Sequence, residues 1–285
     1  MSNLSSTRAG GFTGPSEKIS RRRAMGMRIA IYCLLMTLLP MLASLGARWH
    51  WTLELVTHFP LQYAIGLAIA LLLGVCLRRR WIILLASVGL ILCGWQLAPL
   101  YIPATPATAH GSSLRFLLAN VHTANANHQR LLDLIEHGRP DVIVLLETNG
   151  AWIEALSSLN DTYPYRELQP RGDNFGMAVY SRVPMKEVKV IELAGSTVPT
   201  ISAQAEIGED IITFISTHPL PPVSSQYAKT RDRQLVALAE LVSRTTGPVV
   251  VLGDLNTTSW SPRFADLLRD ANLRDSRQGF GLHGT

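Results

Sequence analysis

Residues 248–256, PVVVLGDLN, join a run of β-branched apolar residues to a tight turn that carries a carboxylate and a carboxamide. Val-rich runs favour β-strands, and Gly253 permits the sharp turn that ends one. Asp254 and Asn256 would then follow a strand, where the sheet holds their oxygen atoms rigidly at its rim. Taken alone, Asp and Asn after a strand are ordinary turn residues.

Three other strands in the same part of the chain end in polar groups. Asn120 ends LRFLLAN, Glu147 ends DVIVLLE, and His218 follows DIITFIST. Because the ends of neighbouring strands converge on one rim of a layered sheet, we expect these groups to meet Asp254 and Asn256. An oxygen-rich rim suits Mg²⁺ or Mn²⁺, and a nearby imidazole can contact or protonate a phosphate oxygen.

Strands and helices alternate from residue 114 onward, without strict strand-helix-strand repetition. Apolar spacing predicts helices over 128–138, 152–159, 224–244 and 262–269, and extended runs over 114–120, 141–147, 175–181, 188–193, 201–206, 210–217 and 248–254. This order predicts an α/β fold in which two sheets pack face to face with helices outside. Residues 114–285 suffice for one substantial core.

The amino-terminal third is too apolar for an ordinary soluble domain. The whole chain is 47% hydrophobic and 16% charged, and residues 29–47, 61–77 and 81–101 are uncharged over the length that a membrane-crossing helix needs. A cleaved signal peptide is the alternative for the first stretch, and buried core helices for the others. Three closely spaced stretches favour three transmembrane helices.

Two clusters of arginine orient these predicted spans. Arginines occupy positions 21–23 before the first stretch and 78–80 between the second and third. The positive-inside rule places both clusters in the cytoplasm, so three spans deliver the rest of the chain to the other side. The expected location is a bacterial inner (plasma) membrane, with the lipid bilayer as a partner and the carboxyl-terminal domain in the periplasm or outside the cell. Residues 1–28 are predicted to be a disordered basic tail and residues 102–113 a linker.

Charge and cysteine content narrow the chemistry of the carboxyl-terminal part. Residues 101–285 contain 16 basic and 19 acidic residues, which gives a net charge of −3. Proteins that bind double-stranded nucleic acid tightly usually carry a net positive charge instead. Cys33, Cys76 and Cys93 all fall in the apolar stretches. No disulfide partner, thiol nucleophile or thiolate metal site is therefore expected in the domain.

At these strand ends the sequence resembles the endonuclease/exonuclease/phosphatase superfamily. The resemblance covers about residues 114–282, and the pieces follow the family's order: LRFLLAN, DVIVLLE, NFGMAVYSR, ISTHPLPP, RDRQ and VVVLGDLN. It implies a four-layer αββα sandwich and a phosphoesterase that depends on Mg²⁺ or Mn²⁺. The implied substrate is a phosphate ester, whether a lipid, a small phosphoester or nucleic acid; the membrane tether and negative domain favour the first two.

The resemblance also implies roles for individual residues. Glu147 would be the principal metal ligand, and Asn120 would complete the shell directly or through water. Asp254 would orient or deprotonate the attacking water, Asn256 would hold the phosphate, and His218 would contact it.

Arg231 and Gln234 in the RDRQ piece are three residues apart and so share one helix face. We interpret them as scaffold residues that bond to the motif loops. A solvated helix face is the alternative.

The carboxyl terminus departs from the family pattern, which ends in a strand followed by an Asp-His pair. Here the chain reads GFGLHGT, and His283 follows neither Asp nor a strand. We expect either a truncated form of a longer protein or a catalytically impaired envelope binding protein that keeps the fold. Glu147, His218, Asp254 and Asn256 together favour the enzyme.

Overall fold

A computed structural model describes residues 15–103, 113–208 and 210–281. The chain forms two compact units. One contains the residues up to Pro103 together with the segment from Arg277, and the other runs from Ala104 to Ser276. The segment from Arg277, predicted as part of the 114–285 domain, groups with the helices because the Gly279 and Gly281 amides donate to the carbonyls of Pro99 and Leu100.

The first unit is helical. Its helices are α1 (Pro15–Ser44), α2 (Trp51–Leu55), α3 (Pro60–Cys76) and α4 (Arg80–Leu97), with short 3₁₀ turns at Val56–His58 and Ala98–Leu100. Two segments, Glu17–Ser44 and Arg80–Leu100, are long and apolar enough to cross a membrane. A third span exists only if Trp51–His58 and Pro60–Cys76, bent by 64°, count as one. By length and composition the described residues thus provide two to three candidate spans.

Helix α1 begins earlier than the sequence analysis predicts. The predicted disordered tail covered residues 1–28, whereas residues from Pro15 onward are helical. The Glu17 carboxylate accepts from Arg21 at 2.6 Å, an i,i+4 pair that supports the first turns. Apolar residues continue the same helix directly, so no break separates the basic segment from the apolar one. Residues 1–14 and most of the predicted linker, 104–112, lie outside the described residues.

The second unit contains two four-stranded sheets. The strands are β1 (Phe116–Asn120), β2 (Val142–Leu146), β3 (Tyr165–Gln169), β4 (Met177–Ser181), β5 (Met185–Glu192), β6 (Pro199–Ile207), β7 (Asp210–Thr217) and β8 (Val249–Leu252). Their orders are β1-β2-β4-β3 and β5-β6-β7-β8. The pairs β1–β2 and β7–β8 are parallel, so within each pair both carboxyl ends lie at one rim.

Helices cover the outer faces of both sheets, and the expected α/β class with two sheets is confirmed. These helices are α5 (His128–Gly138), α6 (Gly150–Ala155), α7 (Ser225–Arg244) and α8 (Pro262–Asp270). One core joins α5 and α6 to the first sheet, one joins the two sheets, and one joins α7 and α8 to the second sheet. These three apolar cores define the layer order helix, sheet, sheet, helix.

Strand β3 is the strand of the second unit that the sequence did not predict. Its sequence, YRELQ, is polar, and its side chains are exposed or half-buried. Among the described strands it pairs only with β4, at the edge of the first sheet. An edge strand has a neighbouring strand on one edge, and its other edge faces solvent, so its sequence can be polar. Hydrophobic periodicity therefore does not reveal such strands.

Candidate active site

The ends of β1, β2 and β8 meet at one rim of the sheets. The Asn120 amide Nδ2 donates to Glu147 Oε1 at 2.7 Å and lies 3.5 Å from Asp254 Oδ2. The Asn120 Oδ1 atom accepts from the His122 backbone amide at 3.1 Å. Asn120 therefore bridges the two carboxylates through its nitrogen, while its oxygen is held by the backbone.

Glu147 combines an unusual backbone with an unpaired oxygen. Its φ is +63°, in the left-handed region of the backbone that residues other than glycine rarely adopt. The Thr123 Oγ1 atom donates to the Glu147 backbone carbonyl at 2.9 Å. The Oε2 atom is buried and has no hydrogen-bond partner among the described residues. A buried carboxylate oxygen without a partner is costly unless something else binds it. Strained backbone of this kind is concentrated at functional sites.

His218 lies behind this rim and is only 4% exposed. Its Nε2 atom is 4.0 Å from Asp254 Oδ2, and its buried Nδ1 atom has no partner among the described residues. Burial lowers the pKa of His218, although the charges of Asp254 and Glu147 oppose that shift. The imidazole is therefore neutral at neutral pH, and its contact with Asp254 is not an ion pair.

The turn after β8 is held by bonds that its sequence supplies. Asn256 has φ +50°, and its amide donates to Asp254 Oδ1 at 3.1 Å. Its side-chain Nδ2 donates to the Pro219 carbonyl at 2.8 Å, which ties this turn to the loop after His218. Gly253 has no room for a side chain, since a Cβ there would lie 1.9 Å from the Thr217 carbonyl oxygen.

Arg231 and Gln234 are buried on α7, at 0% and 1% exposure, so neither lies on a solvated helix face. Arg231 Nη1 donates to the Asn256 carbonyl at 2.8 Å. Gln234 Oε1 accepts from the Leu220 amide at 3.0 Å, and its Nε2 donates to Ser196 Oγ at 3.0 Å. One helix face thus bonds both the Asp254–Asn256 turn and the loop after His218.

Sequence reasoning did not single out Phe175, whose ring centroid is 5.4 Å from that of His218.

The backbone before β4 lies close to the Thr148 carbonyl oxygen, since a Cβ at Gly176 would lie 1.8 Å from that oxygen. Arg171 donates to the Thr197 carbonyl and pairs with Asp173, and that pairing holds the pKa of Asp173 below its usual value. The Asn-Phe-Gly sequence before an apolar strand was the available signal.

The donor chemistry of the rim fits a divalent cation, although the structure assembles few acidic ligands. No group of three or more His, Cys, Asp or Glu side chains within 15–103, 113–208 and 210–281 is arranged to bind a metal ion. The unpaired Glu147 Oε2 is nevertheless a hard oxygen donor, with a second carboxylate, Asp254, across Asn120. His283 lies outside the described residues.

The family assignment agrees with this fold. Residues 117–285 match the model of the endonuclease/exonuclease/phosphatase family, and the chain belongs to that family. Its general class is that of phosphoester hydrolases. No curated protein matches the chain in sequence.

Several solved structures are similar to parts of this chain. A β-hairpin deletion mutant of beta toxin from Staphylococcus aureus has 23% identity and a TM-score of 0.46, covering 57% of this chain and 74% of that one. Sphingomyelinase C from Streptomyces griseocarneus has 21% identity and a TM-score of 0.48, covering 58% and 72%. Truncated TDP2 from Caenorhabditis elegans has 16% identity and a TM-score of 0.43, covering 51% and 63%.

Proposed function

We propose that this protein is a membrane-anchored phosphoesterase that depends on a divalent metal ion and acts outside the cytoplasm. The observation that carries the proposal is the meeting of Asn120, Glu147 and Asp254 at one rim, with a buried Glu147 oxygen left unpaired. Substrate would be a lipid or small phosphoester rather than duplex DNA, because residues 101–285 carry a net charge of −3.

Glu147 is the principal ligand for Mg²⁺ or Mn²⁺ in this proposal, and Asn120 supports it directly or through water. Asn120 Oδ1 already accepts from the His122 amide, which favours the water-mediated contact. When bound, the ion supplies charge stabilisation for the phosphoryl oxygens.

The remaining side chains bind substrate and move protons. Asp254 is 45% exposed on its side chain, so it can accept a proton from an attacking water. His218 is neutral, and the tautomer protonated at Nε2 can donate to a phosphate oxygen. Asn256 uses one N–H on the Pro219 carbonyl and has a second for the phosphate. Arg231 and Gln234 act as the scaffold of both loops.

The surface of the helical unit supports a membrane anchor. Its interior is a small core of residues such as Ala30, Leu67 and Ala86. Large apolar side chains face outward instead, among them Leu72 at 64% and Ile91 at 71% exposure. In water this surface would be an aggregation hazard, whereas lipid tails would cover it.

The ends of this unit differ in the way the positive-inside rule requires. A Cβ at Gly26 would lie 3.6 Å from Leu77, so the start of α1, with arginines 21–23, neighbours the turn that carries arginines 78–80. Exposed aromatic residues occur at both ends: Trp81, beside the second arginine cluster, is 47% exposed, and at the opposite end Trp95 is 82% and Trp49 85% exposed. Basic residues on the cytoplasmic side and aromatic residues at interfaces are typical of membrane helices.

A hydrolysis assay tests the proposal. The full chain, purified in mild detergent, should hydrolyse bis(4-nitrophenyl) phosphate with Mg²⁺ or Mn²⁺ and lose that activity in EDTA. Activity should return when excess metal is restored. Turnover that persists in EDTA would refute metal dependence, and no turnover with either metal would favour the non-catalytic binding protein.

A further inference from the structure

A cavity of about 290 Å³ lies beside the candidate active site, between the end of β1 and the amino-terminal half of α5. Asn120, whose side chain donates to Glu147 in the candidate active site, forms part of its lining. Its lining does not include Glu147, His218, Asp254 or Asn256. Apart from Asn120, the groups that line this cavity, which we call the α5 cavity, therefore have no role in the chemistry described above.

The floor of the α5 cavity is apolar and rigid. Val121, Leu131 and Trp152 are 6%, 7% and 1% exposed. Trp152 is fixed by its Nε1–H, which donates to the His122 carbonyl at 3.3 Å, and by the His128 ring, whose centroid is 4.4 Å away. Such a floor offers an apolar group a surface that needs no rearrangement, and the apolar area that a ligand would cover is mainly that of Leu134, which is 51% exposed.

The wall of the cavity is formed by a loop that is already ordered. Asn125 Nδ2 donates to the Val121 carbonyl at 3.1 Å, and its Oδ1 accepts from the Asn127 amide at 3.0 Å. The Asn127 side chain in turn accepts from the Arg130 amide and caps α5. The polar wall needs no further ordering when a ligand enters.

Arg130 supplies an unused positive charge at the mouth of this cavity. Its side chain is exposed, and within the described residues its guanidinium has no hydrogen-bond or ion-pair partner. The nearest acid along the helix, Asp133, accepts instead from Gln129 Nε2 at 2.8 Å. Leu134, one turn after Arg130 and on the same helix face, is 51% exposed and also lines the cavity.

We propose that the α5 cavity binds one ester substituent of the substrate, a short apolar segment that carries a second anionic group held by Arg130. The inference rests on the proposed phosphoesterase function, because the link between the cavity and the candidate active site is the residue they share, Asn120. Its volume of about 290 Å³ is just below the roughly 300–1,000 Å³ typical of ligand sites, which suits a small substituent rather than a polymer. Arg130 is then a specificity-determining residue.

Two matched substrates test this inference. Both are 4-nitrophenyl phosphodiesters with a hexyl ester, and in one the hexyl chain ends in a phosphonate. For the Arg130→Gln variant of the full chain we expect kcat/KM to fall about three- to tenfold on the phosphonate substrate and to stay unchanged on the plain one, since an exposed charge contact contributes modestly. Arg130→Lys should retain most of the preference. Arg139→Gln, at the other end of α5, is the matched control and should change neither value.

Equal kcat/KM of wild type on the two substrates, or an equal loss on both in Arg130→Gln, would overturn the inference. A binding measurement separates this failure from failure of the proposed function. Hexylphosphonate should bind the wild-type chain in EDTA and bind Arg130→Gln several-fold more weakly, as measured by calorimetry. If no variant hydrolyses either diester, the phosphoesterase proposal fails, and the calorimetry alone decides the cavity: equal binding to both chains rejects it.

Discussion

Glu147 and Asp254 are the two residues on which the proposed chemistry depends most directly. If the Glu147 carboxylate binds the ion and Asp254 positions the attacking water, then Glu147→Gln and Asp254→Asn should each lower kcat by at least about a hundredfold. Initial rates on bis(4-nitrophenyl) phosphate measure the loss. Glu154→Gln, an exposed change on α6, should keep wild-type turnover. Full activity in either site variant would remove the assigned role.

The buried imidazole of His218 predicts a pH dependence of stability. Burial lowers the pKa of His218, so below its ordinary pKa of about 6.5 the unfolded chain binds a proton that the folded chain resists. The stability that the neutral His218 contributes to the fold is therefore fully present above about pH 6.5, and it is lost as the pH falls toward the lowered pKa of His218.

His218→Gln should lose less thermal stability than wild type between about pH 7.5 and pH 5.5, because the titrating group is gone. Thermal unfolding midpoints of both full chains, measured in EDTA, make the comparison. His137→Gln changes an exposed histidine on α5 and should follow the wild-type profile. Parallel pH profiles for His218→Gln and wild type would contradict the prediction.

Some features of individual residues were accessible from the sequence, and others were not. The strand-end positions of Asn120, Glu147 and Asp254 follow from apolar runs that stop at polar residues, and the structure brings the three side chains together. The amide orientation of Asn120 depends on the His122 backbone, which no pattern encodes. The ring of Phe175 against His218 likewise depends on how two distant segments pack.

Among the secondary-structure elements, β8 and its turn can lie close to β7 because Gly253 has no side chain. Gly253→Ala would place a methyl group 1.9 Å from the Thr217 carbonyl oxygen, so the backbone must move. We expect a loss of at least about 2 kcal/mol in the free energy of unfolding, seen as a lower thermal midpoint. Gly150→Ala, where no atom lies within 4 Å, is the control and should be neutral or slightly stabilising. Equal midpoints for the two variants would show that β8 tolerates the shift.

Elements with strong local signals were predicted best. Helix α5 runs over His128–Gly138 and β7 over Asp210–Thr217, as predicted, because a capping Asn127 and a clear apolar pattern define them. Strand β3 was missed because an edge strand is stabilised by its pairing with β4 rather than by its own hydrophobicity. Helix α2 was also missed, and the 64° bend that separates it from α3 falls at Pro60, the first residue of α3.

In our proposal the two units of the whole molecule have different tasks: the apolar helical unit anchors the chain, and the second unit carries the candidate active site. Because the arginines at 21–23 and 78–80 lie at one end of the helical unit, that end should face the cytoplasm. A reporter that is active only outside the cytoplasm, fused after Ala109, should therefore be active, and a cytoplasmic reporter at the same point should not.

Changing the three arginines at 78–80 to glutamine tests the cause of this topology. If these charges hold the α3–α4 turn on the cytoplasmic side, their removal should lower the activity of the outside reporter. Arg48→Gln changes an arginine that precedes the fusion point and lies outside both clusters, so it is the control and should not lower the activity of the outside reporter. A cytoplasmic signal after Ala109 in the unaltered chain would mean that the bent segment Trp51–His58 and Pro60–Cys76 does not cross the bilayer, because two spans return the chain to its starting side.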